Sequence, residues 1–426
     1  MTFDVSPLPS EQLFFDQFFL ARQPILNRKQ RLVAYELLFR SAHCDDAGVI
    51  NGVEATATVI AHASELGMEH VVGPQLAYVN VDTASLMSDF IRFLPSDKVI
   101  LEILESVRAT PEVLARVREL KQAGFHFALD DVVSASEDVQ KLAPLVDIIK
   151  VDIHQMSAEA LVALTPLLKY RKKKLLAEKV ETQAEFKLCL QLGFEFFQGY
   201  YFARPVILSG KKIAPSELAI LHLLELIGAE ADNGEIERNL KHDALLSLNL
   251  IRLANTPSVG ARVRIDTLGQ ALLVLGRRQL QRWLQILLYV KPGGPQPFTS
   301  PLLQLATTRG KLLELMTEKL HPGERQSADV GFTVGIMSLM DALFSIRMAD
   351  ILGNVNVLDE VRDALLFRDG DYGRMLSLIE HVEKADCGPA MVHTLDRLHL
   401  SPGELRSIQL AAFDWVNGYV EGVAAR

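Results

Sequence analysis

The 426 residues exceed what one ordinary core accommodates, so two or three domains are expected. Lys and Arg total 44 against 53 Asp and Glu, a net charge of −9, which argues against a broad nucleic-acid-binding surface while leaving local nucleotide sites open. Three widely spaced cysteines, Cys44, Cys189 and Cys387, give neither a disulfide framework nor a zinc spacing and fit a reducing cytoplasm. Residues 1–17 carry three acidic and no basic side chains, unlike a signal peptide. The most apolar late segment, residues 330–340, spans 11 residues, too short for a bilayer, so no membrane association is expected and the protein is placed in the cytoplasm.

From Phe18 onward, short β-branched or aromatic runs alternate with amphipathic ones. Strands are expected at 18–25, 32–39, 77–81, 99–104, 126–129, 148–151, 174–177 and 195–199. Helices are expected at 52–66, 111–124, 157–170 and 182–192; the second has Pro at its start and Gly at its end. The link at 27–31 is too short for a crossover helix and reads as a hairpin, which makes the first strand antiparallel to the second. Eight strands with helical crossovers predict a closed (β/α)8 barrel with one inverted strand. After Arg204-Pro205 the strand signal stops and nearly every later segment is helical. The expected class is therefore α/β plus all-α: a barrel domain over 1–205, a linker over 206–213 and a helical domain over 214–426.

Polar residues collect at the strand ends: Gln23, Glu36, Arg40, Asn80, Glu102, Asp130, Asp131, Lys150, Glu178 and Gln198. That face of a parallel barrel is where ligands bind. Carboxylates joined by amides suit hard divalent cations, Mg²⁺ or Mn²⁺, rather than zinc. Two such ions could hold and polarise a phosphodiester, with Lys150 adding positive charge. Adjacent strand residues point to opposite faces, so Asp130 and Asp131 both serve only if their strand ends there. A single charge after a strand is ordinarily a solvated loop residue; one or two on each successive strand argue for one site.

These residues also carry a resemblance. Gln23-Pro24-Ile25 and Tyr35-Glu36-Leu37-Leu38-Phe39-Arg40 resemble the opening of the EAL family of cyclic-di-GMP phosphodiesterases. Val79-Asn80, Glu102-Ile103-Leu104-Glu105-Ser106, Asp130-Asp131, Ile149-Lys150-Val151-Asp152, Ala177-Glu178-Lys179-Val180-Glu181-Thr182 and Gln198-Gly199-Tyr200-Tyr201-Phe202 follow in the family's order. The resemblance implies metal ligands at Glu36, Asn80, Glu102, Asp130 and Asp131. It implies water-activating roles for Lys150 and Glu178, a supporting role for Gln198, and a loop-steadying role for Glu105. Gln23 and Arg40 fall where the dinucleotide phosphates are expected, and the implied reaction opens cyclic di-GMP to linear pGpG.

Three departures from the family's pattern stand out: Leu37 for its alanine, Lys179 for a glycine, and Val132-Val133-Ser134-Ala135-Ser136 for a loop with two glycines. In the family that loop positions the second metal and helps dimerisation. Losing its glycines predicts unfavourable backbone at Val133 and Ala135, with binding kept and chemistry weakened. Hydrolysis and a nucleotide-free scaffold acting through protein contacts both stay open, as does a homodimer.

In the helical half, 250–257 and 265–276 resemble the HDOD family, an all-helical signalling domain that generally lacks the metal dyad of HD enzymes. His242-Asp243 reads as a helix start, because 335–341 offers Ser and Met where a second metal-binding pair would stand. The helical domain is expected to bind a signalling partner protein. The run Arg171-Lys172-Lys173-Lys174 reads as a solvated helix end.

Overall fold

Alternation of side chains along a strand decides which residues are sealed inside a barrel and which face its helices. The computed structural model describes residues 18–41, 68–169, 173–199, 215–243, 264–289, 300–353, 357–384 and 389–424, with isolated positions at 246–247, 250–251, 254–255 and 355. The expected helix at 52–66 and the linker at 206–213 lie outside the described residues.

β1 (Phe18–Asn27) and β2 (Leu32–Ser41) form the expected antiparallel hairpin, with Gln23 opposite Glu36. Asn27 builds the turn: its side chain accepts the N–H groups of Lys29 and Arg31, while Gln30 takes a left-handed φ of 56°. β3 (Leu76–Val81), β4 (Val99–Ile103), β5 (His126–Leu129), β6 (Ile148–Asp152), β7 (Lys174–Glu178) and β8 (Phe196–Phe197) follow. All steps from β2 to β8 are parallel, and β8 closes antiparallel onto β1 at Leu26 and Asn27. The eight strands thus close into a barrel with an inverted first strand. β8 stops short of the expected 195–199, because Gly199 turns away at φ 146° beneath the Val180 backbone.

The crossover helices start and stop on local signals. Pro111–Gln122 is capped by Thr110 and followed by Gly124 at φ 95°. Gln183–Leu192 opens on a Thr182/Glu185 capping box and ends at left-handed Gly193. Their apolar faces, Val113, Val117 and Leu120 on the first, meet the outward residues of the strands in one large sleeve of core. Inside the barrel the apolar layer is small: Ile25, Ala34, Tyr78, Ile100, Ala128, Ile148 and Leu176, with Phe196 partly buried against them. At roughly 1.5–3 kcal/mol per large buried side chain, the sleeve carries most of the burial energy. That leaves the layer above the inner floor free to be polar.

Chain contacts divide the molecule into two units, Met1–Arg204 with Leu378–Asn417, and Pro205–Ser377 with Gly418–Arg426. Within the first, residues 402–417 of helix Pro402–Ala424 lie on the outer face of β1. The Gln409 amide donates to the Leu20 carbonyl (2.6 Å) and accepts its N–H (3.4 Å). The Arg22 guanidinium sits between the rings of Tyr35 and Phe413, 4.5 and 3.8 Å from their centroids. It also donates to the Val71 carbonyl at 2.7 Å.

The second unit is helical, built around the antiparallel pair Pro301–Leu320 and Arg325–Met337. Residues Arg325–Phe344 are apolar and long enough by composition to cross a membrane, a longer stretch than the 11 residues read from sequence. The helix breaks at Ser338-Leu339, however, and 61% of the stretch is buried in the protein, as a core helix would be. His242 ends helix Asn233–Lys241, and the Asp243 carboxylate accepts the Leu246 N–H, a capping role. Lys173 is not simply solvated: its ammonium donates to the Pro144 and Val146 carbonyls. Arg171 and Lys172 lie outside the described residues.

Candidate metal centre

One polar residue from every strand stands two positions from its floor residue on the same inward face, after it in β2 to β8 and before it in the inverted β1. Gln23 lies above Ile25, Glu36 above Ala34, Asn80 above Tyr78 and Glu102 above Ile100. Asp130, Lys150, Glu178 and Gln198 stand in the same way above Ala128, Ile148, Leu176 and Phe196. The period of two that seals the floor therefore also assembles the ring.

At its centre the Lys150 ammonium, 0% exposed, lies 2.7 Å from Glu102, 2.7 Å from Asp130, 2.8 Å from Glu178 and 3.3 Å from Glu36. The Gln198 amide donates to Glu36 Oε2 (2.6 Å) and Gln23 Oε1 (2.8 Å), and Asn80 donates to Glu36 Oε1 (3.3 Å). Four carboxylates thus face one buried ammonium, and the protonation states divide accordingly. Burial would push Lys150 down, but the charges of Glu102, Glu178, Glu36 and Asp130 outweigh it and hold the lysine well above its ordinary value. Burial would push Glu36 up, yet Lys150 and the hydrogen bonds from Gln198, Lys150 and Asn80 hold it below the carboxylate range. Glu102 moves well above that range through burial and the Glu36 charge. Burial also raises Asp130, and it pushes Glu178 up to about 8 against the pull of Lys150.

Glu102 Oε2 and Glu178 Oε2 are buried with no hydrogen-bond donor among the described residues. Hard oxygens in excess of positive charge, with acceptor atoms left over, fit a divalent cation such as Mg²⁺ or Mn²⁺. Glu36, Asn80, Glu102 and Asp130 are the side chains that would hold it.

The remaining expected residues lie at the rim. β5 ends at Leu129, and Asp131 takes φ 46°, so its carboxylate leaves the ring and meets Lys179 at 3.4 Å. Glu105 is exposed; its carboxylate lies with those of Asp130 and Asp131, with oxygens within 4.8 Å of one another. No hydrogen bond among the described residues runs from Glu105 to the 132–136 loop. Arg40 stands in β2 opposite Phe19, and its side chain lies outside what is described. The altered loop avoids the expected strain: neither Val133 nor Ala135 takes a positive φ, Val132 is buried with its N–H on the Lys150 carbonyl, and Ser136 caps the next helix. The left-handed backbone sits instead at Asp131 and Lys179. Sequence reasoning did not connect Asp152 to the site. Its buried carboxylate accepts the Lys179 ammonium at 2.5 Å, and the signals were its place in the Ile149–Asp152 segment and its position two residues beyond Lys150.

In comparisons with known proteins, the EAL domain profile matches residues 10–205 and the HDOD domain profile matches residues 218–291. The chain is 31% identical over 386 residues to the cyclic di-GMP phosphodiesterase CdgJ of Vibrio cholerae serotype O1, spanning 89% of this chain and 88% of that protein. It is 30% identical over 373 residues to the uncharacterized protein YuxH of Bacillus subtilis (strain 168), spanning 86% and 90%. Among solved structures, it is 26% identical to a standalone EAL protein from Vibrio cholerae O395 in its c-di-GMP bound form. That similarity covers 44% of this chain and 91% of that one, with a TM-score of 0.36.

Proposed function

Because the chain belongs to the family that couples an EAL domain to an HDOD domain, we propose that its barrel binds cyclic di-GMP together with Mg²⁺ or Mn²⁺. In this reading it opens one phosphodiester to give pGpG. The observation that carries the reading is the ring of Gln23, Glu36, Asn80, Glu102, Asp130, Lys150, Glu178 and Gln198, one residue per strand. When bound, the ion supplies polarisation of the phosphodiester. Lys150 stays an ammonium and contributes charge and hydrogen bonds, not a base. Glu178, pushed up to about 8 in the ion-free ring, would ionise beside the ion and become a carboxylate able to accept a proton from water. Gln198 holds Glu36 and Gln23 in fixed orientations. Glu105 and Asp131 flank the mouth, and Arg40 is assigned to the nucleotide phosphates. In this reading the protein works in the cytoplasm and its helical domain contacts a signalling protein.

A second reading, a scaffold that acts through protein contacts without hydrolysis, draws on Lys179, whose ammonium occupies Asp131. Incubation of the full chain with cyclic di-GMP and Mn²⁺, followed by chromatography, separates the two. pGpG formed by the natural sequence and not by Glu36→Ala supports the first. Calorimetric binding without pGpG removes hydrolysis, and no heat with or without Mn²⁺ removes the nucleotide altogether.

A further inference from the structure

Two groups of carboxylate oxygens share Asp130. The inner one is the ring, where Glu102 Oε2 awaits a donor. The outer one is Glu105, Asp130 and Asp131 at the mouth, with oxygens within 4.8 Å of one another. Each already has an ammonium beside it, but in the ring Lys150 faces four carboxylates and leaves negative charge over, whereas at the mouth a second lysine stands against Asp131. Lys179, immediately after β7, holds φ 56°, a conformation lysine rarely takes. That turn sends its ammonium to Asp152 Oδ2 at 2.5 Å and Asp131 Oδ1 at 3.4 Å. Asp152 is itself fixed, accepting the His154 N–H at 2.9 Å and the Gln155 amide at 2.7 Å. A mobile cation using Asp131 would therefore have to expel a positive charge that is anchored from below.

We infer that Lys179 is a tethered cation that competes for Asp131 at the outer position, so that this barrel takes one divalent ion, in the ring, where the outer carboxylates would otherwise take a second. The inference rests on the reading that the ring binds a divalent ion. A half-exposed ammonium on a backbone that glycine adopts without strain makes the position replaceable without unfolding the chain.

The test is the number of Mn²⁺ ions bound per full-length chain, counted by equilibrium dialysis and by native mass spectrometry without nucleotide. One ion is expected for the natural sequence, two for Lys179→Gly and one for Lys179→Arg, which keeps the charge. In Lys179→Gly the paramagnetic resonance spectrum should show coupling between two Mn²⁺ ions. Two ions on the natural chain, or one on Lys179→Gly, overturn the inference while leaving the ring reading intact. No ion on any of the three chains overturns the ring reading, and the inference with it.

Discussion

Replacing Lys150 by Met takes one ammonium out of contact with four carboxylates that are themselves 0–11% exposed. Removing one partner of a buried charge pair costs about 3–5 kcal/mol. In a domain of about 150–250 residues each kcal/mol lowers Tm by roughly 2–4 °C, so the barrel's transition should fall by about 6–20 °C at pH 8. The loss must depend on pH, and its sign follows from the ring. Glu102, Asp130 and Glu178 are already held above the carboxylate range, chiefly by burial. A carboxyl whose pKa is raised by folding keeps its proton in the fold and not in the unfolded chain. Its penalty is therefore absent below the unfolded value and grows as pH climbs toward the folded one. Without Lys150, Glu36 joins that group. Lys150 itself, raised well above its ordinary value, stays charged across this range in the natural protein. The variant should thus lie close to the natural protein at pH 5 and far below it at pH 8. Thermal melts by circular dichroism in chelator at both pH values measure this; a gap at pH 5 as large as that at pH 8 would refute the reasoning.

Three further outcomes follow from the geometry. Mn²⁺ binding at pH 7 should release about one proton or more, because Glu178, with its pKa near 8, must ionise beside the ion; heats independent of buffer ionisation enthalpy would count against it. Gly199→Ala should destabilise the barrel by about 1–3 kcal/mol or more, since φ is 146° and an added Cβ meets the Val180 N and O atoms at 2.3 Å. An unchanged urea midpoint would show that β8 can shift. Phe413→Ala should cost about 3–5 kcal/mol, as expected for a buried aromatic, and a melt that moves by less than that would mean the helix is not part of the barrel's core.

The barrel and its ring were legible because one pattern encodes both. Seven strands show an inward apolar residue and, two positions on, a polar one, inverted β1 shows the reverse order in Gln23 and Ile25, and the hairpin at Asn27 is too short for anything but an inverted strand. The loop after Asp131 was read for what it lacked, and composition alone did not show that Asp131 would absorb the left-handed turn. Lys179 was read only as a departure from a glycine; its pairing with Asp152 depends on the parallel register that sets Asp152 opposite Glu178. Nor does any local signal tie helix Pro402–Ala424 to β1. Its apolar face is ordinary, and its partner, Arg22, belongs to a residue type that is mostly exposed.

The bond pair between Gln409 and Leu20 joins residues 389 apart in the chain. A ribosome adding about 5–20 residues per second needs roughly 20–80 s to travel that distance. Throughout that interval the outer face of the first strand has been made but its cover has not. The nascent barrel must wait, sheltered by chaperone or by provisional contacts, until the codons for Gln409 and its helix are read. Deleting the codons for Pro402–Ala424 should accordingly harm the barrel encoded hundreds of codons earlier.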